Sequence, residues 1–133
     1  MSEADTRRVI DALYEAYLAG DQEGMLALMD ADVAVRFLGQ VSLRGIEEAR
    51  RFFAFSGSKL TDVDFRVERK VCDGEWAAVT WSETARTRDG HPWENHGVDV
   101  FRVRDRRIVV VHENNDCRLV HRHFPRYEPG DAG

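Results

Sequence analysis

Cysteine, basic charge and long apolar runs are all scarce in this chain. Two cysteines, Cys72 and Cys117, occur in 133 residues, and no C-x-x-C spacing is present. That spacing disfavours a redox pair or a thiolate zinc site, and a cytosolic compartment would keep both thiols reduced. Basic residues number 19 against 24 acidic ones, for a formal charge of −5. Such a balance provides no footprint for nucleic acid. Arg102, Arg104, Arg106 and Arg107 do cluster, but Val103 and Asp105 interrupt them, as on a solvated strand face and turn. The longest apolar run, Met25 to Met29, has five residues. A membrane-spanning helix needs ~20. The opening Met1-Ser2-Glu3-Ala4-Asp5 lacks the basic and apolar regions of a signal peptide. A cytoplasmic protein is therefore expected, with no membrane partner.

What is present suits one ordinary domain. Apolar residues make up 43% of the chain and charged residues 32%, a balance of globular and not disordered chains. Thirteen aromatic residues are available for a core or a pocket. No linker, low-complexity tract or repeat divides the chain, and no flavin, nucleotide or phosphate loop is visible, so no cofactor is expected. Residues 1–124 read as one α+β domain. Residues 125–133, with Pro125 and Pro129, read as a flexible tail.

The periodicities order the elements. Val9, Ile10, Leu13, Ala16 and Tyr17 recur at helical spacing over residues 5–19, with Asp5 or Thr6 as cap. A second short helix covers 22–30, and Asp30 and Asp32 mark a turn. Val33, Val35 and Phe37 alternate along a first strand that Gly39 closes. A third helix runs from Ile46 to Phe55. Period-two alternation then gives four meandering strands, near 63–71, 76–86, 93–104 and 107–117. Asp73-Gly74, Asp89-Gly90 and Asp105-Arg106 separate them. Helices at one end and antiparallel strands at the other define an α+β fold. A sheet of about five strands curled around three helices would leave a conical cavity.

This order, with three local strings, resembles the nuclear transport factor 2-like superfamily. Within it the likeness is to the SnoaL-like and ketosteroid-isomerase-related branch. The strings are Ala19-Gly20-Asp21-x-x-Gly24, Asp30-Ala31-Asp32-Val33, and Gly97 to Val103 leading into Arg107-Ile108. The resemblance covers roughly residues 5–120. It implies a cone-shaped, cystatin-like sheet and frequent homodimerisation. It leaves the activity open among isomerases, dehydratases, epoxide hydrolases, polyketide cyclases and non-catalytic members.

Strand alternation decides which acids face inward. A two-residue turn at Asp105-Arg106 would place Asp99 with His112. A three-residue turn with a bulge would place it with Val111 and Glu113. The resemblance selects the second, with Asp99, Phe101, Val111, Glu113 and Asn115 lining the pocket. It adds Trp81, Glu83, Val35, Phe37, Leu13 and Tyr17. Ile108, Val110, His112, Asn114 and Asp116 would then point outward. Together with Val98 and Val100, the apolar members of that outer face suit a homodimer.

Acids gathered in an apolar cavity cannot all ionise cheaply, so at least one pKa must rise. A protonated acid beside an ionised one is an acid–base pair. The expected function is therefore a cofactor-independent enzyme acting on an apolar or polyketide-like small molecule. Isomerisation, cyclisation, dehydration and epoxide opening all remain open. Asp99 is expected to be the protonated partner that stabilises an oxyanion. Glu113 is expected to be the base, and Glu83 a further acid. Asn115 and Tyr17 would orient substrate. The alternative is a non-catalytic binding or dimerising domain of the same fold.

The resemblance is incomplete. Phe37 stands where the isomerase has its proton-abstracting Asp, and Leu13 where it has its oxyanion Tyr. Val35 and Phe37 replace the Tyr and Asn of the epoxide hydrolases, and Trp81 their Arg between two acids. Five histidines remain. His112-Glu-Asn-Asn-Asp116 lacks the second His of a zinc-protease helix, and His121-x-His123 stands alone in the tail, so no metal is expected. His96 would turn inward only if Gly97 formed a bulge, and is kept as a catalytic candidate on that condition.

Overall fold

The computed structural model describes residues 2–37, 41–116, 118, 120 and 122. Leu38, Gly39, Cys117, His121, His123 and the 125–133 tail lie outside the described residues. Helix α1 spans Glu3–Leu18, α2 Gln22–Ala27 and α3 Ile46–Gly57. The strands are β1 Met29–Phe37, β2 Val41–Arg44, β3 Leu60–Asp73, β4 Trp76–Thr87, β5 Pro92–Arg104 and β6 Arg107–Asn115. They form one sheet in the order β2-β1-β6-β5-β4-β3, which leaves β2 and β3 as free edges. All pairings are antiparallel except β1 with β6. The helices pack on the inner face, α1 against β3 and β4 and α3 against β1 and β2. The result is an α+β cone.

Local chemistry accounts for the element limits. Helix α1 starts two residues earlier than its apolar spacing suggests, because Ser2 and Asp5 form a reciprocal capping box. Helix α2 stops at Ala27 and not at 30. Met29 already pairs with Ile108, and the Asp30–Asp32 segment is an irregularity inside β1. The Asp30 carboxylate accepts the Asp32 N–H there at 2.9 Å, which is local turn chemistry embedded in a strand. The sheet has six strands and not about five. Strand β2 is only four residues long, too short for a period-two signal to stand out. Gly45 follows it with φ 96°, a left-handed angle that lets its N–H reach Val33 O at 2.8 Å as α3 begins.

The closing hairpin combines the two turns considered above. Asp105 and Arg106 both have positive φ, at 50° and 62°, which makes a two-residue turn. Arg104 and Val103 accordingly pair with Arg107 and Ile108. The register then slips, so that Arg102 faces Val110 and Val109 is the extra residue. Beyond that bulge Asp99 pairs with Glu113. The register is thus the expected one, reached through a bulge in β6 and not through a longer turn. One consequence is a correction: Ile108, expected on the outer face, lies before the bulge and is fully buried in the core.

Inward side chains form rows across the sheet. The lowest complete row is Val35, Val111, Phe101 and Ala77. All four are buried, and they cap a dry core that includes Ile10, Val33, Val103 and Ile108. The next row is Phe37, Glu113, Asp99 and Val79. Above it lie Asn115, Gly97 and Trp81, and then Asn95, Glu83 and Phe65. No helix among the described residues is long and apolar enough to cross a membrane.

Candidate active site

The upper rows open into a cavity of about 780 Å³. Aromatic rings dominate its walls. Phe65 stacks on Trp81 with centroids 5.1 Å apart, and Tyr17 meets Phe65 edge-on at 4.9 Å. Across the cavity Phe37 packs on Phe52 at 5.1 Å. Glu83, Asp99 and Glu113 are its acids.

Asp99 and Glu113 are direct cross-strand partners, which sets their Cβ atoms roughly 4.5–5.5 Å apart. Asp99 is 9% exposed. It accepts a 2.6 Å hydrogen bond from the Tyr14 hydroxyl. Glu113 retains some accessible surface, but that surface lines the cavity and its carboxyl is enclosed by protein. Burial pushes the Glu113 carboxyl up to about 8, helped by repulsion from Asp99 and Glu83. Burial also lifts Asp99, to about 6, while the Tyr14 hydroxyl and the nearby Trp81 indole favour its charged form. The two titrate as a pair, with Glu113 the more readily protonated member. Glu83 is raised by burial as well, partly offset by a 2.9 Å hydrogen bond from Trp93 Nε1.

The Tyr14 donor favours ionisation at Asp99, whereas the sequence-based expectation made Asp99 the protonated partner and Glu113 the base. Asp99 has a phenol donor that stabilises its anion; no such donor serves Glu113 among the described residues. The Tyr14 hydroxyl thus favours Asp99 as the ionised member of the pair.

The remaining expected residues are placed as follows. Leu13, Tyr17, Phe37, Trp81, Phe101, Val111 and Asn115 line the cavity. Val35 does not: it is 1% exposed and lies in the core, although its row partners Val111 and Phe101 reach the cavity. His96 does not either. Gly97 pairs regularly with both Trp81 and Asn115, with no bulge, so His96 stays exposed on the other face. His112 also faces away, paired with Arg36 and Val100, and its pKa is lowered by burial and then by Arg36. Among the described residues no three His, Cys, Asp or Glu side chains converge as a metal site would require.

The cavity residues absent from the sequence-based set include Tyr14, Trp93 and Asn95. Each carried a readable signal. Tyr14 lies one turn after Ile10 on the buried face of α1. Trp93 and Asn95 share the alternation of Asp99 along β5. A phenol does enter the cavity from α1, one position after Leu13.

The SnoaL-like domain family matches residues 10–111. The chain belongs to that family. No curated protein matches it in sequence. Solved structures agree on the fold of this SnoaL-like domain. An NTF2-like protein of unknown function from Burkholderia pseudomallei superposes with a TM-score of 0.82 at 20% identity, over 95% of this chain and 100% of that one. A candidate SnoaL-like polyketide cyclase from Jannaschia sp. gives 0.82 at 15% identity, over 94% of each chain. An LEH-like epoxide hydrolase from M. tuberculosis gives 0.73 at 16%, over 90% of this chain and 89% of that one. At these identities the likeness is one of fold, so the reaction has to be argued from the SnoaL-like cavity itself.

Proposed function

We propose that this SnoaL-like domain is a cofactor-independent acid–base enzyme that moves a proton on an apolar, carbonyl-bearing small molecule. The observation that carries the reading is the cross-strand pair of Asp99 and Glu113, two enclosed carboxyls on a single row with Tyr14 holding one of them as the anion. Asp99 removes a proton from the carbon next to the carbonyl. The C–H electrons form the enol double bond, and Glu113 delivers its proton to the carbonyl oxygen. Asp99 is now protonated and Glu113 ionised. Return of the Asp99 proton to a different carbon, and of the enol proton to Glu113, completes an isomerisation and restores both acids. Attack of the enol carbon on a second carbonyl would instead close a ring. The aromatic walls hold flat apolar substrate, and Tyr17 and Asn115 orient it.

The test uses 2-tetralone, a bicyclic ketone with exchangeable hydrogens, in deuterated buffer. NMR should show enzyme-accelerated exchange at the carbons beside the carbonyl. The rate should follow a bell with limbs near pH 6 and pH 8, where Asp99 gains its proton and Glu113 loses one. Exchange no faster than in buffer, or equally fast in Asp99→Asn, would remove the reading. Styrene oxide serves as the control for epoxide opening, which the same pair would support only with a positioned water.

We also propose a homodimer through the outer sheet face, where Val98, Val100 and Val110 are partly exposed. A monomer in sedimentation velocity at tens of micromolar would contradict it.

A further inference from the structure

Two buried polar atoms in the cavity have no hydrogen-bond partner, Trp81 Nε1 and Asn115 Oδ1. Trp81 is 6% exposed. A buried polar group left unpaired costs roughly 1–3 kcal/mol, so each such group calls for a reason. These two are chemically complementary. An indole nitrogen only donates, and an amide oxygen only accepts.

They are also placed together. Both residues pair with Gly97, Trp81 from β4 and Asn115 from β6, so they flank one position of β5. Gly97 has no side chain to separate them. A Cβ there would lie 2.6 Å from Trp81 Cζ2 and 3.0 Å from Cε2, the ring carbon bonded to Nε1. The indole ring therefore lies over Gly97, and the N–H is carried on the ring carbon Cε2 above that strand. One row down are Asp99 and Glu113. The indole N–H lies near enough to Asp99 to favour its anion, but outside hydrogen-bond geometry, so it is left without a partner.

We propose that Trp81 and Asn115 form a hydroxyl-binding subsite above Gly97, taking one alcohol, phenol or enol O–H of the ligand. Trp81 Nε1–H donates to the ligand oxygen, and that oxygen donates its hydrogen to Asn115 Oδ1. A hydroxyl does both at once. An ether oxygen, lacking the hydrogen, satisfies only Trp81 and leaves the Asn115 oxygen unpaired. The subsite makes the ligand a hydroxylated apolar ring system, with the hydroxyl one row from the acids. It rests on the reading of this cavity as a small-molecule site, but not on turnover there.

The experiment compares 2-naphthol with 2-methoxynaphthalene by isothermal titration calorimetry at pH 7. Wild type should bind the naphthol about tenfold more tightly, the value of one hydrogen bond plus one rescued acceptor. Asn115→Leu should shrink that preference to about threefold or less, with methoxynaphthalene affinity little changed, whereas Trp81→Phe should weaken both ligands, because both oxygens accept from the indole. Asn115→Leu carries the test if Trp81→Phe does not fold. Asp99→Asn should keep the preference. Equal affinities in wild type, no detectable naphthol binding, a preference that survives Asn115→Leu, or ligand affinities untouched by Trp81→Phe would overturn the proposal. So would a preference lost only in Asp99→Asn, which would assign the hydroxyl to the carboxyl pair. If the preference behaves as expected while 2-tetralone exchange is absent, the subsite stands and the proton-transfer reading falls.

Discussion

The row Val35, Val111, Phe101 and Ala77 and the row Phe37, Glu113, Asp99 and Val79 are built by the same four strands, two residues apart. Both face inward. The lower row joins the core with Ile10, Val33 and Ile108, and only its Phe101 and Val111 touch the cavity floor. The upper row faces the cavity that the helices leave open. An acid in the lower row would be an unpaired buried charge that the fold could not tolerate. In the upper row the same burial is only partial in consequence. It shifts the protons of two neighbouring carboxyls without expelling them, and that shift is what chemistry can use. The sheet thus passes from closed core to open cavity within one step along the strands, and the proposed chemistry sits on the open side.

Substitutions should split along that line. The largest effect is expected for Asp99→Asn, which keeps shape and a Tyr14 contact but removes the base. Exchange of 2-tetralone should fall by about 10²–10⁴-fold, with the far-ultraviolet dichroism unchanged. Ile108→Ala, below the lower row, should do the reverse. It should cost about 2–5 kcal/mol in urea unfolding and leave the exchange rate of the folded fraction intact. Gly97→Ala is expected to disturb both sides. Its Cβ would lie 2.1 Å from Asn114 O and would displace the Trp81 ring. About 1–3 kcal/mol of stability should be lost, together with the quenching or shift of Trp81 fluorescence.

The most graded effect is that of pH on stability. Both acids have folded-state pKa values above their unfolded ones. The folded state therefore holds more protons than the unfolded state between about pH 4 and pH 8. Stability contributed by the pair is present at low pH and lost as pH rises through that window, by at most about 1.4 kcal/mol per pH unit for each proton. Glu113→Gln cannot ionise. Its melting temperature should match wild type near pH 4 and exceed it increasingly toward pH 9. Parallel melting curves across that range would show that Glu113 is not strained by its surroundings.

Much of this division is legible in the sequence. Period-two alternation places Trp81 and Glu83 on one face of β4, and Asp99 and Phe101 on one face of β5. The rest depends on events that alternation does not record. A bulge at Val109 is a tertiary choice. It reverses the facing of every β6 residue before it relative to those after it, which is why Ile108 is core and Glu113 is cavity. The short β2 strand is invisible because four residues hold two alternations at most. Helix α1 offers Leu13, Tyr14 and Tyr17 to the same side, and only packing against Phe65 and Phe101 shows that the Tyr14 hydroxyl reaches Asp99. Proton placement leans on that contact. Without it, Asp99 would lose the donor in closest contact with its carboxylate.

Carbon-13 NMR of the side-chain carboxyls, followed from pH 3 to pH 10, tests the central claim most directly. The account predicts that Glu113 titrates near pH 8 and that Asp99→Asn moves it downward, because one repelling charge is gone. A Glu113 that titrates near the ordinary value of about 4.3, and does so equally in wild type and Asp99→Asn, would contradict the shared proton and the function built on it.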